Sequence, residues 1–183
     1  HIVEPDLDLL VKSAVNAGNL KASLEPCKAD IFIIAVPTPF KDDYVPDLSY
    51  VEHATKAIAP FIEAGNLVIL ESTSPVGTTD RVAEILADAG HKDDVFIAHC
   101  PERVLPGRIL IELVQNDRIV GGINKVSTKK ASAFYKEFVS GEVLETDAKT
   151  AELSKLTENS FRDVNIAFAN ELSLICDKEH IDA

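Results

Sequence analysis

Methionine is absent from all 183 positions. A whole domain ordinarily carries a few, so the chain reads as an internal fragment of something longer. Basic side chains are scarce: 18 Lys and Arg against 30 Asp and Glu leave a net charge of -12. That balance excludes nucleic acid and an anionic membrane surface as partners, and any anionic ligand must be held by local donors. Long apolar runs are missing as well. The longest, IFIIAV and LVIL, fall well short of the ~20 residues a membrane span needs, and the opening HIVEPD is no signal peptide. A cytoplasmic location without membrane contact is expected. The three cysteines, Cys27, Cys100 and Cys176, are odd in number and far apart, which fits reduced thiols and excludes a disulfide or zinc framework. Nor do the five histidines show ligand spacing, so no metal is expected.

What the chain does have is 46% hydrophobic residues, enough for one sizeable core plus an appendage. Apolar positions recur with helical period over 7–18, 49–62, 78–89, 107–114 and 126–138. Continuous apolar runs that read as strands covered on both faces occupy 31–36, 67–70 and 95–98, with further strands at 118–120 and 143–146 and a weak one at 21–24. The first helix carries Leu9, Leu10, Ala14 and Ala17 on one face and closes on Gly18, a C-terminal signal. This alternation predicts an α/β fold with a parallel sheet and right-handed crossovers.

The last stretch, 146–175, predicts one long helix. Asp147 is its N-cap, no Pro or Gly interrupts it, and Leu153, Leu156, Val164, Ala167, Phe168, Leu172 and Ile175 form an apolar stripe that is expected to be buried. Lys155, Asn159 and Arg162 stand at i, i+4 and i+7, within about 60° of each other on the opposite side. On an arbitrary helix such a patch is a solvated face. Three loops at predicted strand ends change its context, because ligands of open parallel sheets bind outside the carboxyl ends of the strands. Val36-Pro37-Thr38-Pro39 is a stiff turn with one hydroxyl. In the run from Glu71 to Thr79, Thr78 and Thr79 read as helix caps while Thr73 sits nearer the strand end. The run from His99 to Gly107 compresses an acid, a base and two prolines, a rigidity that points to a task. Cys100 beside His99 is not a nucleophile on this reading, since neighbouring strand residues face opposite ways and a buried Cys is inert. Asp117, Arg118 and the pair Gly121-Gly122 read as structural, the glycines allowing a tight turn.

ESTSPVGTT, HCPERVLPGR, NDRIVGG and TAELSKLTENSFRDVNIAFANELS, in this order and spacing, resemble the UDP-glucose/GDP-mannose dehydrogenase family over the whole chain from HIVEPDL onward. The resemblance implies an enzyme that oxidises the C6 alcohol of a nucleotide sugar to a carboxylate in two NAD-dependent steps, serving surface polysaccharide synthesis, with a UDP-N-acetylhexosamine as substrate and a homodimer as its assembly. It implies that residues 1–145 are a partial Rossmann-like NAD-binding domain lacking its first β-α-β unit, and that 146–183 begin a central helical domain for dimerisation and substrate binding. Carried over residue by residue, Thr38 and Thr73 contact NAD, and Arg103 and Val104 touch the substrate. Lys155, Asn159 and Arg162 line the sugar end of the site, with Lys155 in proton transfer and Asn159 beside it as catalytic residues. Glu102 is open between a structural role and orienting a water. The family's GxGxxG turn and ribose-binding acid are expected upstream of His1, and its thioester cysteine, which stands in a Gly-rich motif, downstream of Ala183. None of Cys27, Cys100 and Cys176 stands in such a motif.

Two other readings compete. A β-hydroxyacid dehydrogenase also places Lys and Asn four apart on a helix, but the STSPVG and PERVLPG loops argue against it. The other is a non-catalytic fragment dimerising through its long helix. One expectation concerns the sheet. With no first strand beside it, the strand at 31–36 is an apolar edge, and such edges are covered, here by another chain or by a displaced segment.

Overall fold

A computed structural model describes residues 4–182. Five strands, β1 (Ile31–Ile34), β2 (Leu67–Leu70), β3 (Phe96–His99), β4 (Arg118–Gly122) and β5 (Val143–Asp147), form one sheet whose spatial order is the chain order. Helices α1 (Leu7–Asn16), α2 (Ser49–Ile58), α3 (Thr78–Asp88), α4 (Ile109–Gln115), α5 (Lys125–Lys136) and α6 (Ala148–Lys178) lie between and after them. The predicted strand at 21–24 is absent; its residues are irregular and exposed, because nothing there offers Leu24 an apolar face.

The sheet is mostly parallel, and this corrects the expectation of a wholly parallel one. β1, β2 and β3 run together and β4 runs with β5, but β3 and β4 are antiparallel through Ala98↔Gly122 and His99↔Gly121. A parallel crossover requires a helix that packs back across a sheet face. Helix α4 has seven residues and none fully buried, so it does not cross, and the chain turns back at the rim where β3 ended.

Alternation along the strands builds two cores. Val68 and Leu70 of β2 join Phe32, Ile34, Ile97, Val51, Val82 and Leu86 under α2 and α3. Leu67 and Ile69 join Ala98, Cys100, Val120, Ala131 and Tyr135 under α5. All four residues of β2 are buried, as suits a central strand. Among the described residues no strand pairs with the outer edge of β1, so the expected displaced segment of the same chain does not cover it. Phe32 and Ile34 are nevertheless buried, beneath the helices, while Ile33 stays exposed.

Two apolar faces are open. Helix α1 buries none of its residues, with Leu9, Leu10 and Val15 exposed, and it is tethered by the buried Glu4, whose carboxylate accepts from Gly107 N at 2.7 Å and Ile109 N at 2.6 Å. Helix α6 starts as predicted, with the Asp147 carboxylate accepting from Thr150 N at 3.0 Å. Its predicted stripe is not buried: Leu153, Val164, Phe168, Leu172 and Ile175 are exposed. The inward face of its first turns is instead Ala148, Ala151 and Glu152, and the two alanines are small enough to let the helix lie close on β4. Gly121 and Gly122 serve the same closeness, not a tight turn. They sit inside β4, and a Cβ on Gly121 would come within 2.1 Å of Asp147 O.

Candidate functional site

The loops leaving β1 and β2 are stitched into one wall. Ser72 Oγ accepts from Val36 N and donates to Val36 O, each at 2.8 Å, and Ser74 Oγ donates to Ser72 O at 3.0 Å. Thr38 Oγ1 donates to Thr73 O at 2.6 Å, so the two residues expected to contact a cofactor are neighbours at adjacent strand ends, both half-buried. Thr78 and Thr79 do not cap α3 with their hydroxyls. The N-cap is Gly77, in the left-handed region at φ 96° with no side-chain cap, a conformation glycine adopts without strain. Thr78 Oγ1 donates to Pro75 O at 2.6 Å, and the free amides at the helix start are met from elsewhere. Glu152, fully buried on α6, accepts from Gly77 N at 2.6 Å, Thr79 N at 2.7 Å and Thr79 Oγ1 at 2.6 Å.

The loop after β3 reaches the same helix nearly two turns further on. Arg103 donates to Glu158 Oε1 at 2.5 Å and to Asp117 O at 3.4 Å, while its own carbonyl accepts from Asn116 Nδ2 at 2.9 Å. Val104 follows it, half-buried. Lys155 is half-buried beside this loop. Burial first, with the positive charges of Arg162 and Arg103, holds its ammonium below the 10.5 of an ordinary lysine, against the carboxylates of Glu158 and Glu102. Asn159 is half-buried and accepts from Arg162 Nη2 at 3.3 Å, and Arg162 itself is exposed. The structure thus brings the charges of Arg103 and Arg162 near Lys155 and joins Arg162 to Asn159 along α6, with Arg162 exposed. Among the described residues no hydrogen bond joins Thr38 or Thr73 to them.

Between these loops lies a buried polar group. Tyr135 OH donates to Glu71 Oε1 at 2.6 Å, and Arg118, buried, donates to Glu102 Oε1 at 3.4 Å and Leu113 O at 3.2 Å. Glu102 also accepts from Arg103 N at 2.6 Å, which, through Arg118, ties the loop after β3 to β4. Burial raises Glu71 above the usual carboxylate range. It pushes the Cys100 thiol up to about 12, so Cys100 is an inert thiol and no nucleophile.

His99 is fully buried and neither ring nitrogen makes a hydrogen bond; burial, opposed by the Leu70 backbone, lowers its pKa to about 4. An unfolded histidine titrates near 6.5, so between those values only the unfolded chain takes the proton. Stability from this group is full above about pH 6.5 and is lost as pH falls toward 4, by ~3 kcal/mol at about 1.4 kcal/mol per pH unit. Glu71 acts in the opposite sense, so the expected result is read as a difference. The thermal midpoint of His99→Phe should fall less between pH 7 and pH 5 than that of the parent, and an equal fall would exclude His99 as the acid-sensitive group.

A mostly parallel α/β sheet with hydroxyl-bearing loops at its strand ends is the architecture of an NAD-binding domain. The chain belongs to the UDP-glucose/GDP-mannose dehydrogenase family, matching its NAD binding domain over residues 1–139 and its central domain over 149–183. It is similar to the UDP-N-acetyl-D-mannosamine dehydrogenase of Yersinia pestis, 57% identical over 192 residues, covering 100% of this chain and 46% of the relative. It is also 56% identical over 188 residues to an NDP-N-acetyl-D-galactosaminuronic acid dehydrogenase of Ralstonia nicotianae, covering 97% of this chain and 44% of the other. The solved structure of the UDP-D-ManNAc dehydrogenase from Pyrococcus horikoshii superposes with a TM-score of 0.92 at 44% identity, covering 98% of this chain and 44% of that one. The chain therefore spans just under half the length of these relatives.

Sequence reasoning missed two residues of this region, Glu152 and Glu158. A signal for the first was present: at i+4 from Ala148 and next to Ala151, Glu152 stands on the small-residue face by which a helix approaches a sheet closely.

Proposed function

We propose that this chain supplies the strand-end wall and the reactive helix of a cytoplasmic NAD-dependent nucleotide-sugar 6-dehydrogenase acting on UDP-N-acetyl-D-mannosamine. The observation that carries the reading is Lys155, held half-buried with a lowered pKa near the Arg103–Glu158 pair and one helical turn before Asn159. In this reading residues 1–145 are the NAD-binding part and 146–183 open the central domain, a division supported by the two family segments on either side of it. That no strand among the described residues pairs with the outer edge of β1 supports a sheet whose first β-α-β unit is not among these residues. The exposed stripe of α6 supports a homodimer.

NAD, when bound, accepts the hydride from C6. The residues here fit one side of such a site: Thr38 and Thr73 form a rigid rim at the ends of β1 and β2, as expected for a nucleotide wall at strand carboxyl ends. None of the eight glycines stands in a G-x-G-x-x-G run, so the pyrophosphate cradle is not part of these residues. Lys155 takes the C6 hydroxyl proton in its neutral form, which burial favours relative to an ordinary lysine. The resulting ammonium and the Asn159 amide then stabilise negative charge on that oxygen where water is excluded. Arg103, Val104 and Arg162 hold the substrate beside them.

The test is NADH formation from UDP-N-acetyl-D-mannosamine by the full-length protein and by the 183-residue chain. The expected result is two NADH per substrate from the former and none from the latter, because Cys100 is inert and no glycine cradle is present. Preference for another UDP-N-acetylhexosamine would change the sugar and leave the reaction class as proposed. Two NADH per substrate from the 183-residue chain alone would overturn the reading.

A further inference from the structure

We infer that Glu152 is a positioning residue that sets Lys155 and Asn159 against the strand-end loops, an inference that rests on the reading of α6 given above. Its carboxylate is fully buried and meets no Lys or Arg among the described residues; it is satisfied by the two amides and one hydroxyl at the start of α3. A buried unpaired carboxylate is unfavourable unless every lone pair finds a donor. Here the helix N-terminus supplies donors and a favourable dipole.

What this capping bond joins is more telling than the cap itself. Gly77, whose amide Glu152 holds, ends the loop that begins at Glu71 and carries Thr73, so one oxygen grips the cofactor-side wall. On the helix, Lys155 is three residues on, rotated by about 60°, and Asn159 is seven on, within about 20° of the Glu152 direction. A change in the seat of Glu152 therefore moves both side chains together. The other tether between the two helices, Lys149 to Asp80 at 3.1 Å, is exposed and too weak to set a register.

Glu152→Gln keeps the size and one acceptor but turns an amide N–H toward Gly77 N–H, donor against donor. In the full-length protein, measured well below its thermal midpoint, this variant should lose about ten- to a hundredfold in kcat with KM for NAD and nucleotide sugar changed less than about threefold, as expected for sub-ångström misplacement of reacting groups. A second readout is independent of turnover. The pH profile of trace acetylation at Lys155, followed by mass spectrometry with Lys12 as the internal standard, should shift toward an ordinary lysine. Thr79→Val, which removes one of the three bonds and leaves the carboxylate, should shift both readouts in the same direction by less, and it serves alone if Glu152→Gln does not fold. Unchanged kcat and an unchanged Lys155 profile in the folded variants would overturn the inference, as would an activity loss matched by the loss of folded protein. Absence of turnover in the parent would overturn the functional reading while the acetylation profile still decided the role of Glu152.

Discussion

Lys155→Met in the full-length protein should lose about three orders of magnitude in NADH formation from the nucleotide sugar while the thermal midpoint stays within a few degrees. The size follows from two roles ending at once: a positioned base contributes about 10²–10⁴-fold, and a fixed cation facing a developing oxyanion about 10²–10³-fold, with the two not additive because one side chain performs both. Methionine keeps the length of the stem along α6, so packing is retained. Lys155→Arg separates the roles. Its guanidinium keeps the charge but does not deprotonate, so proton transfer is lost while oxyanion stabilisation is retained in part. For the parent, kcat should rise with pH about a midpoint below the 10.5 of an ordinary lysine, since burial is the largest influence on the group. Retention of parental kcat in Lys155→Met would remove the residue from the mechanism.

Gly121→Ala should be the most damaging single methyl in the molecule, leaving little folded protein or reducing stability by more than about 4 kcal/mol. The added Cβ would lie 2.1 Å from Asp147 O, 2.5 Å from Asp147 C and 2.9 Å from Ala148 N. All three are backbone atoms, so no rotamer change relieves the overlap, and either β4 or the β5–α6 junction must move. Because Asp147 caps α6, that movement is passed to Lys155. Gly107→Ala is the comparison: its φ is 94° but the space around it is open, so only the conformational penalty of about 1 kcal/mol applies. Denaturant titration of the two variants checks the order, and a Gly121→Ala protein as stable as the parent would show that the strand and helix do not approach as closely as described.

Much of this was legible because it is local. Runs such as LVIL carry their own burial pattern, Asp147 and Thr150 carry their own cap, and the loops ESTSPVG and HCPERVLPG mark strand ends by composition. What was not legible depends on distant partners. The reversal of β4 follows from α4 being too short to pack across the sheet, and nothing within Arg118–Gly122 encodes a direction. The buried face of α6 was misplaced because the apolar stripe is the stronger signal. The helix instead meets the sheet through Ala148 and Ala151, and its stripe projects past the domain. Gly121 and Gly122 look like turn residues until Asp147 is seen above them. Glu152 passes for a surface acid, since its donors lie 73 and 75 residues earlier.

The identity of strand order and chain order in this sheet bears on how the molecule comes to exist. From β2 onward each strand, as it leaves the ribosome, finds one neighbour already made, so these five strands add in order without threading a late strand between two early ones, and the chain closures needed are short. Only α6 must wait. Its register depends on an α3 start synthesised 73 to 75 residues before and on β4, so α6 is seated on a platform that is already built.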